Sequence, residues 1–313
     1  MILLERKKRC NIKILYCVLF LSFAICIFTA LAINKDDLKK YGTIRIEEMN
    51  CQLQKKLGEK DEFGIIPLIS LPGSGNTWTR TLLKETTGIY TGSVYNDTNL
   101  FKNGLLGELT DPTDGQTLFQ KSHDIKIHCF SSKINGILLI IRNPFDATVA
   151  EWKRQNGGGH TGQVNEEIFK RTTWYVMANN SLKRWVNLTK MVFQKHKVKI
   201  YLSFNNSQKT PLHVILYEDI VRDATSEMKK VLDFMEHENL FLVKDRILRL
   251  GCFKKALNET QKFHRPRRPP SFEYFSNDLI DLGNKNIEEV LLFLIENNYP
   301  LIDIIKYKRN RKV

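Results

Sequence analysis

The 313 residues are 42% hydrophobic and 26% charged, which fits one globular domain of roughly 250 residues with extensions. Forty-eight Lys and Arg against 34 Asp and Glu give a net charge of +14. That excess speaks against a cationic partner and leaves nucleic acid, anionic lipid, or a polyanionic substrate or cofactor, without choosing among them.

The first element narrows the choice. "ILYCVLFLSFAICIFTALAI", Ile14 to Ile33, is uncharged and long enough to cross a bilayer as a helix. Arg6, Lys7, Lys8, Arg9 and Lys13 precede it, and the positive-inside rule keeps that end in the cytoplasm. Residues 1–13 then form a cytoplasmic tail, 14–33 a signal-anchor, and the rest is lumenal, as in a single-pass type II membrane protein. The rival reading is a cleaved signal peptide ending at Ala30-Leu31-Ala32, but the apolar run exceeds a usual signal core. N-x-S/T sequons at Asn96, Asn179, Asn187, Asn205 and Asn258 agree with a lumenal address and argue against a nucleic-acid partner. Of six cysteines, only Cys51, Cys129 and Cys252 fall beyond the span. One disulfide with one cysteine left over for a homodimer, or three buried thiols, are both open readings. No Cys/His spacing suggests a metal site.

Residues 34–63 are polar and lysine-rich and read as a stem. The globular part, 64–305, alternates strand and helix signals. "IIPLIS" reads as a buried strand and "TWTRTLLKETTG" as a helix closed by Gly88. "GILLIIR" is the clearest buried strand, followed by "NPFDATVAEWKRQ" as a helix with Pro144 in its first turn. Phe169 to Lys195 has the spacing of a long amphipathic helix. "LHVILY" reads as a strand, "ATSEMKKVLDFMEH" and "IEEVLLFLIENN" as helices. This pattern predicts an α/β fold of three layers around a central parallel sheet. Residues 306–313, "KYKRNRKV", read as a disordered basic tail.

The chemistry is concentrated between strand and helix, at "LPGSGNTWTR" (71–80). Gly73 and Gly75 allow a tight turn and close backbone approach to a ligand, and Ser74, Asn76 and Thr77 add donors. The helix that follows aims its free N–H groups at the same point, which makes an anion site. It lacks the G-x-x-x-x-G-K-S/T of a Walker A loop, which argues against a nucleotide kinase. The plain alternative is an ordinary Gly/Ser/Asn turn.

Four motifs in order resemble those of the sulfotransferases that use PAPS (3'-phosphoadenylyl sulfate). "LPGSGNTW" is similar to their 5'-phosphosulfate loop, P-K-S/T-G-T-T-W, at Pro72, Ser74, Gly75, Thr77 and Trp78. Gly73 stands where that loop has Lys, and Asn76 replaces a Thr. "FQKSHD" matches at Lys121 and His123. "IIRNPFDATVAEWKRQ" resembles the 3'-phosphate motif R-N/D-P-x-D-x-x-x-S at Arg142, Pro144 and Asp146, with Ala150 in the serine position. "ILYEDIVRD" resembles Y-E-D-L/M-x-x-D/N through Tyr217, Glu218, Asp219 and Asp223. The "PGSGNTW" form looks most like the WSC domain-containing sulfotransferase-like branch, without its cysteine-rich WSC modules.

The resemblance implies a P-loop-like fold, PAPS as donor, no metal, and transfer of a sulfuryl group to a hydroxyl of a glycan or glycoprotein. The branch points to sialic-acid-containing glycans and to the Golgi membrane. His123 is then the general base, and Lys121 stabilises charge on the bridging oxygen. Gly73 to Trp78 hold the 5'-phosphosulfate and border the adenine, as does Tyr217. Arg142 grips the 3'-phosphate. Lys254 and Lys255, in a basic G-x-F-K/R stretch read as a loop, close over the cofactor. Glu218 and Asp219 are expected to bond loop backbone. The competing reading is a non-catalytic lumenal protein that keeps this fold and holds acidic glycans on its basic face.

Overall fold

Short, wholly apolar runs form the centre of the molecule. The computed structural model describes residues 51–124, 134–158, 165–197, 210–259 and 271–312. All belong to one compact unit, Asn50–Val313; the other unit, Met1–Met49, lies outside the described residues together with the expected anchor at 14–33. Among the described residues, no helix is long and apolar enough to cross a membrane.

In chain order the unit runs β1 (Ile66–Ser70), α1 (Asn76–Thr87), β2 (Gly92–Ser93), α2 (Thr98–Lys102), β3 (Phe119–Ser122), β4 (Ile137–Ile141), α3 (Pro144–Lys153), α4 (Thr172–Lys197), β5 (Leu212–Leu216), α5 (Tyr217–Arg222), α6 (Ala224–His237), α7 (Arg246–Glu259) and α8 (Asn277–Glu296). The strands form one sheet in the order β2-β3-β1-β4-β5, and every pairing is parallel. Both faces are covered, which is why β1 and β4 read as unbroken apolar runs rather than alternating ones. On β4, Ile137, Leu139 and Ile141 pack into a core with Phe145, Trp185 and Ile287, from α3, α4 and α8. Leu138 and Ile140 point the other way, to Leu82, Leu83, Val231 and Phe253, from α1, α6 and α7. This is the expected three-layer arrangement.

The topology also fixes where a ligand site can form. After β1 the chain builds β2 and β3 on one side of it, then crosses to β4 and β5 on the other. The crevice at the carboxyl ends of β1, β3 and β4 is therefore a topological switch point.

Several readings change. Tyr217 does not end β5; it opens α5. The last long helix starts at Asn277, ten residues before the apolar periodicity becomes visible at Ile287. The basic stretch from Leu250 is helical through Glu259 rather than a loop, because Leu250 and Phe253 reach the core beside α1. The expected stem is fastened to the domain from Cys51 onward. Cys51 forms a disulfide with Cys252. Lys56 N–H donates to Gly88 O at 2.9 Å, Gly58 N–H to Gln116 O at 2.8 Å, and Phe63 is buried.

The basic C-terminus is likewise ordered. Tyr307 is buried and its hydroxyl donates to Glu218. Arg311 pairs with Asp281 at 2.6 Å, and Lys312 N–H donates to Asn277 at 2.8 Å. A run of like charge reads as disordered only while its acidic partners, here on α8, are unknown.

Candidate active site

The loop between β1 and α1 turns on two left-handed glycines, Gly73 at φ 82° and Gly75 at φ 84°. At Gly73 a Cβ would overlap the carbonyl oxygen of Ala147 on α3, and at Gly75 it would enter the Tyr217 ring. Gly73 is thus a steric requirement: no side chain, lysine included, fits there. Gly75 stands at the N-cap of α1 and supplies no side-chain cap, so the helix begins with unsatisfied N–H groups. Ser74 is buried, and its Oγ has no hydrogen-bond partner among the described residues. Uncapped amides and an orphaned hydroxyl at a positive helix end form a site suited to an anion.

β3 places two ionisable groups beside this loop. Lys121 stands opposite Leu68 of β1, and His123 follows at the strand's end. His123 Nδ1 lies 2.9 Å from Ser70 O. A carbonyl only accepts, so Nδ1 carries the proton and Nε2 keeps its lone pair. Burial, with the nearby Lys121 charge, pushes the His123 pKa down to about 4. The imidazole is neutral at neutral pH and able to accept a proton at Nε2. Three contacts hold the residue: the His123 backbone N–H donates to the Tyr95 hydroxyl at 2.7 Å, the two rings lie 5.4 Å apart, and the His123 backbone carbonyl accepts from Arg184 at 2.7 Å.

Lys121 is buried, with Nζ 5.4 Å from the Tyr95 ring centroid. Burial and the Arg80 guanidinium lower its pKa. Arg80 itself is wholly enclosed; it pairs with Glu108 at 2.6 Å and donates to both oxygens of Thr91 at 2.9 Å.

Arg142, at the end of β4, donates from Nη1 to Gly73 O at 2.7 Å and lies 4.3 Å from the Tyr217 ring centroid. Its Nε is buried without a partner. Glu218 accepts from Asn143 N–H at 3.0 Å, bonding loop backbone as expected, and Asp219 pairs with Arg222 at 3.0 Å.

The structure therefore gathers Gly73, Ser74, Gly75, Arg142, Tyr217 and the Lys121–His123 pair around the crevice. Thr77 sits half-buried in the first turn of α1. Two predicted ligand residues turn inward. The Asn76 amide donates to Leu68 O at 3.0 Å and Ser70 Oγ at 3.1 Å, stitching helix to strand. Trp78 is buried in the core, its ring 5.7 Å from Tyr217 in an edge-on pair, with Nε1 unpartnered. Lys254 is exposed and Lys255 half-buried on α7, which packs against α1. Beyond Ala150 on α3, Lys153 lies over the Phe169 and Tyr274 rings, and Arg154 pairs with Glu151.

Sequence reading missed Ser70, Tyr95, Glu151 and Arg184. Ser70 carried a usable signal, as the last residue of a predicted strand at a sheet's carboxyl edge. Tyr95 and Arg184 carried none, since they reach His123 from 28 and 61 residues away. Among the described residues, no cluster of His, Cys, Asp or Glu could hold a metal ion.

No family model matches the chain. WSCD family member CG9164 from Drosophila melanogaster is 31% identical over 215 residues, 68% of this chain and 60% of that protein. WSCD family member GA21586 from Drosophila pseudoobscura pseudoobscura is 32% identical over 212 residues, 67% of this chain and 60% of that protein. The match thus spans three fifths of those relatives' length. Among solved structures, mouse sulfotransferase SULT7A1 complexed with PAP aligns at TM-score 0.43 and 15% identity, covering 75% of this chain and 85% of that one. A sulfotransferase from Alicyclobacillus acidocaldarius aligns at TM-score 0.34 and 12% identity, covering 79% and 99%. Over about two thirds of its length the chain is similar to the WSCD family members, and its ordered motifs resemble those of the sulfotransferases.

Proposed function

We propose that this chain moves a sulfuryl group from PAPS to a hydroxyl of a glycan, sialic-acid-containing glycans being the preferred class. The observation that carries the reading is a neutral imidazole, with Nε2 free to accept, fixed beside a glycine loop whose Ser74 hydroxyl lacks a partner and which opens an uncapped helix. PAPS would bring the sulfuryl group, two anionic ends and an adenosine. Backbone N–H groups of Gly75, Asn76 and Thr77 and the Ser74 hydroxyl would hold the 5' end. Arg142 would turn its unpartnered Nε edge toward the 3'-phosphate while its Nη1 keeps the loop in place. Lys121, dehydrated and close to the same crevice, would meet charge developing on the leaving oxygen. His123 Nε2 would take the acceptor's hydroxyl proton as that oxygen attacks. Ser70 O and the Tyr95 ring hold the imidazole, while Tyr95 Oη and Arg184 hold the His123 backbone.

The proposal includes a Golgi membrane location with the domain in the lumen. The apolar run at 14–33, the sequons and the Cys51–Cys252 disulfide all suit an oxidising compartment. That pairing leaves Cys129, outside the described residues, as the cysteine through which a homodimer would form.

The test is calorimetry with PAP and a transfer assay with labelled PAPS on a glycan array. Wild-type protein is expected to bind PAP and to label a glycan. His123→Ala is expected to keep PAP affinity within about twofold and to lose transfer by a factor on the order of 100 or more. Absence of PAP binding by wild-type protein overturns the reading. PAP binding with no labelled glycan would favour the non-catalytic alternative.

A further inference from the structure

Resting on the PAPS reading, one question stays open: which cation balances the 5' end when the loop has no lysine. The structure excludes a lysine at 73 because α3 comes too close, with Ala147 O and Glu151 N crowding the glycine. The same helix brings a cation to this place. Glu151 lies directly against Gly73 through its backbone, and its carboxylate is buried. Arg154, one turn on, grips that carboxylate with two parallel bonds, Nε to Oε2 at 2.8 Å and Nη2 to Oε1 at 2.6 Å. Gln155 adds a third bond at 2.8 Å. The guanidinium keeps its Nη1 edge free of partners among the described residues, and the side chain remains 45% exposed. The helix is released immediately afterwards, at the left-handed Gly157.

We propose that Arg154, latched by Glu151, supplies the positive charge at the 5' end of the site that a loop lysine would otherwise give. A charge carried on α3 needs no side chain at position 73, so the close approach of the helix and the absence of the lysine are one arrangement. The electrostatics agree. Although burial opposes it, bonding to Arg154 and Gln155 keeps the Glu151 carboxyl below its usual range, while Arg154 lies close enough to Lys121 to contribute to its lowered pKa. Arg154 and Lys121 thus face one region from α3 and β3. Glu151 and Asp97 offset part of that charge, so the empty region avoids strong self-repulsion while the Nη1 edge of Arg154 remains for an anion. Arg154 is a binding residue in this scheme, and Glu151 a positioning residue.

Two ligands separate the ends of the site. PAP carries both phosphates, whereas adenosine 3'-phosphate has only the 3' one. Calorimetry on the full chain is expected to show Arg154→Ala weakening PAP by about tenfold or more. Its affinity for adenosine 3'-phosphate should stay within about twofold. Arg154→Lys should recover part of the PAP affinity, as a point charge without the fork. The variant Glu151→Gln/Arg154→Ala removes the carboxylate left unpaired, and is expected to keep the loss. Arg154→Lys and the double variant should retain the wild-type thermal midpoint within a few degrees, whereas Arg154→Ala, which strips the buried Glu151 carboxylate of its main partner, should lower it further. Equal losses for the two ligands, no loss for either, or recovery of full PAP affinity in the double variant would each overturn the proposal and leave the PAPS reading intact. Failure of wild-type protein to bind PAP would overturn both.

Discussion

Two histidines in the described domain are kept from protonating, and they make one residue-scale prediction. His123 and His213 both have pKa values lowered from 6.5 to about 4. Burial is the first cause in each; Lys121 adds to it at His123 and Lys230 at His213. His213 is half-buried overall, but its Nε2 is shielded and unpartnered, and its ring stacks 5.2 Å from Phe234. The unfolded chain takes up these protons below pH 6.5, while the folded chain does so only near pH 4. Stability is therefore flat above pH 6.5 on account of these groups and falls as pH drops from 6.5 toward 4. The loss is on the order of 3 kcal/mol for each histidine when complete. Urea midpoints at pH 7, 5.5 and 4.5 should decline in that order, and His213→Leu should decline less steeply. A midpoint unchanged between pH 7 and 4.5 would contradict the assignment. The same titration keeps His123 neutral at pH 5, so the acid limb of kcat/KM should fall below pH 5 rather than near 6.5.

At the scale of elements, the contact between the glycine loop and α3 decides what position 73 can be. Gly73→Ala combines a left-handed φ of 82° with a Cβ that meets Ala147 O. Gly104 has φ 90° with nothing within 4 Å of a Cβ, so Gly104→Ala meets the backbone term alone. We expect Gly104→Ala to cost about 1 kcal/mol and Gly73→Ala at least about 2 kcal/mol more, read from denaturation midpoints. Equal costs would mean that α3 yields easily. This contact also marks the limit of what the sequence discloses. Motif order located the loop, the Lys121–His123 pair and Arg142, because each lies at a strand end where local pattern and site coincide. The apolar runs disclosed β1, β4 and β5 for the same reason. Residues β2 and β3 contribute are polar and short, and give no run to read. That Asn76 turns inward, or that Tyr95 and Arg184 brace His123, depends on which elements meet across the sheet. Spacing along one segment carries no record of that. Gly73 shows the difference: in the motif it is a missing lysine, and in the fold it is the point where a helix passes.

The whole domain is closed at both ends by segments whose composition suggested solvent. The C-terminus reaches Glu218 through Tyr307, joining the chain's last residues to the carboxylate that also holds the start of α3. The N-terminal segment is joined by Cys51–Cys252, across 201 residues of sequence. A cross-link that encloses most of the domain restricts the unfolded chain strongly. The chain-entropy estimate for a loop of this length is about 5 kcal/mol, and measured values for native disulfides commonly lie between about 2 and 5. Cys252 lies on α7, which packs against α1, the helix that begins at the glycine loop. The bond is thus linked through two packed helices to the anion site, while Lys56, Gly58 and Phe63 retain backbone and core contacts without it. Reduction should therefore lower stability without removing the fold. Cys51→Ser/Cys252→Ser is expected to lower the thermal midpoint by on the order of 10 °C. Dithiothreitol should shift wild-type protein to the same midpoint and leave the double variant where it is. A wild-type midpoint insensitive to reductant would show that 51–63 is held by its noncovalent contacts alone.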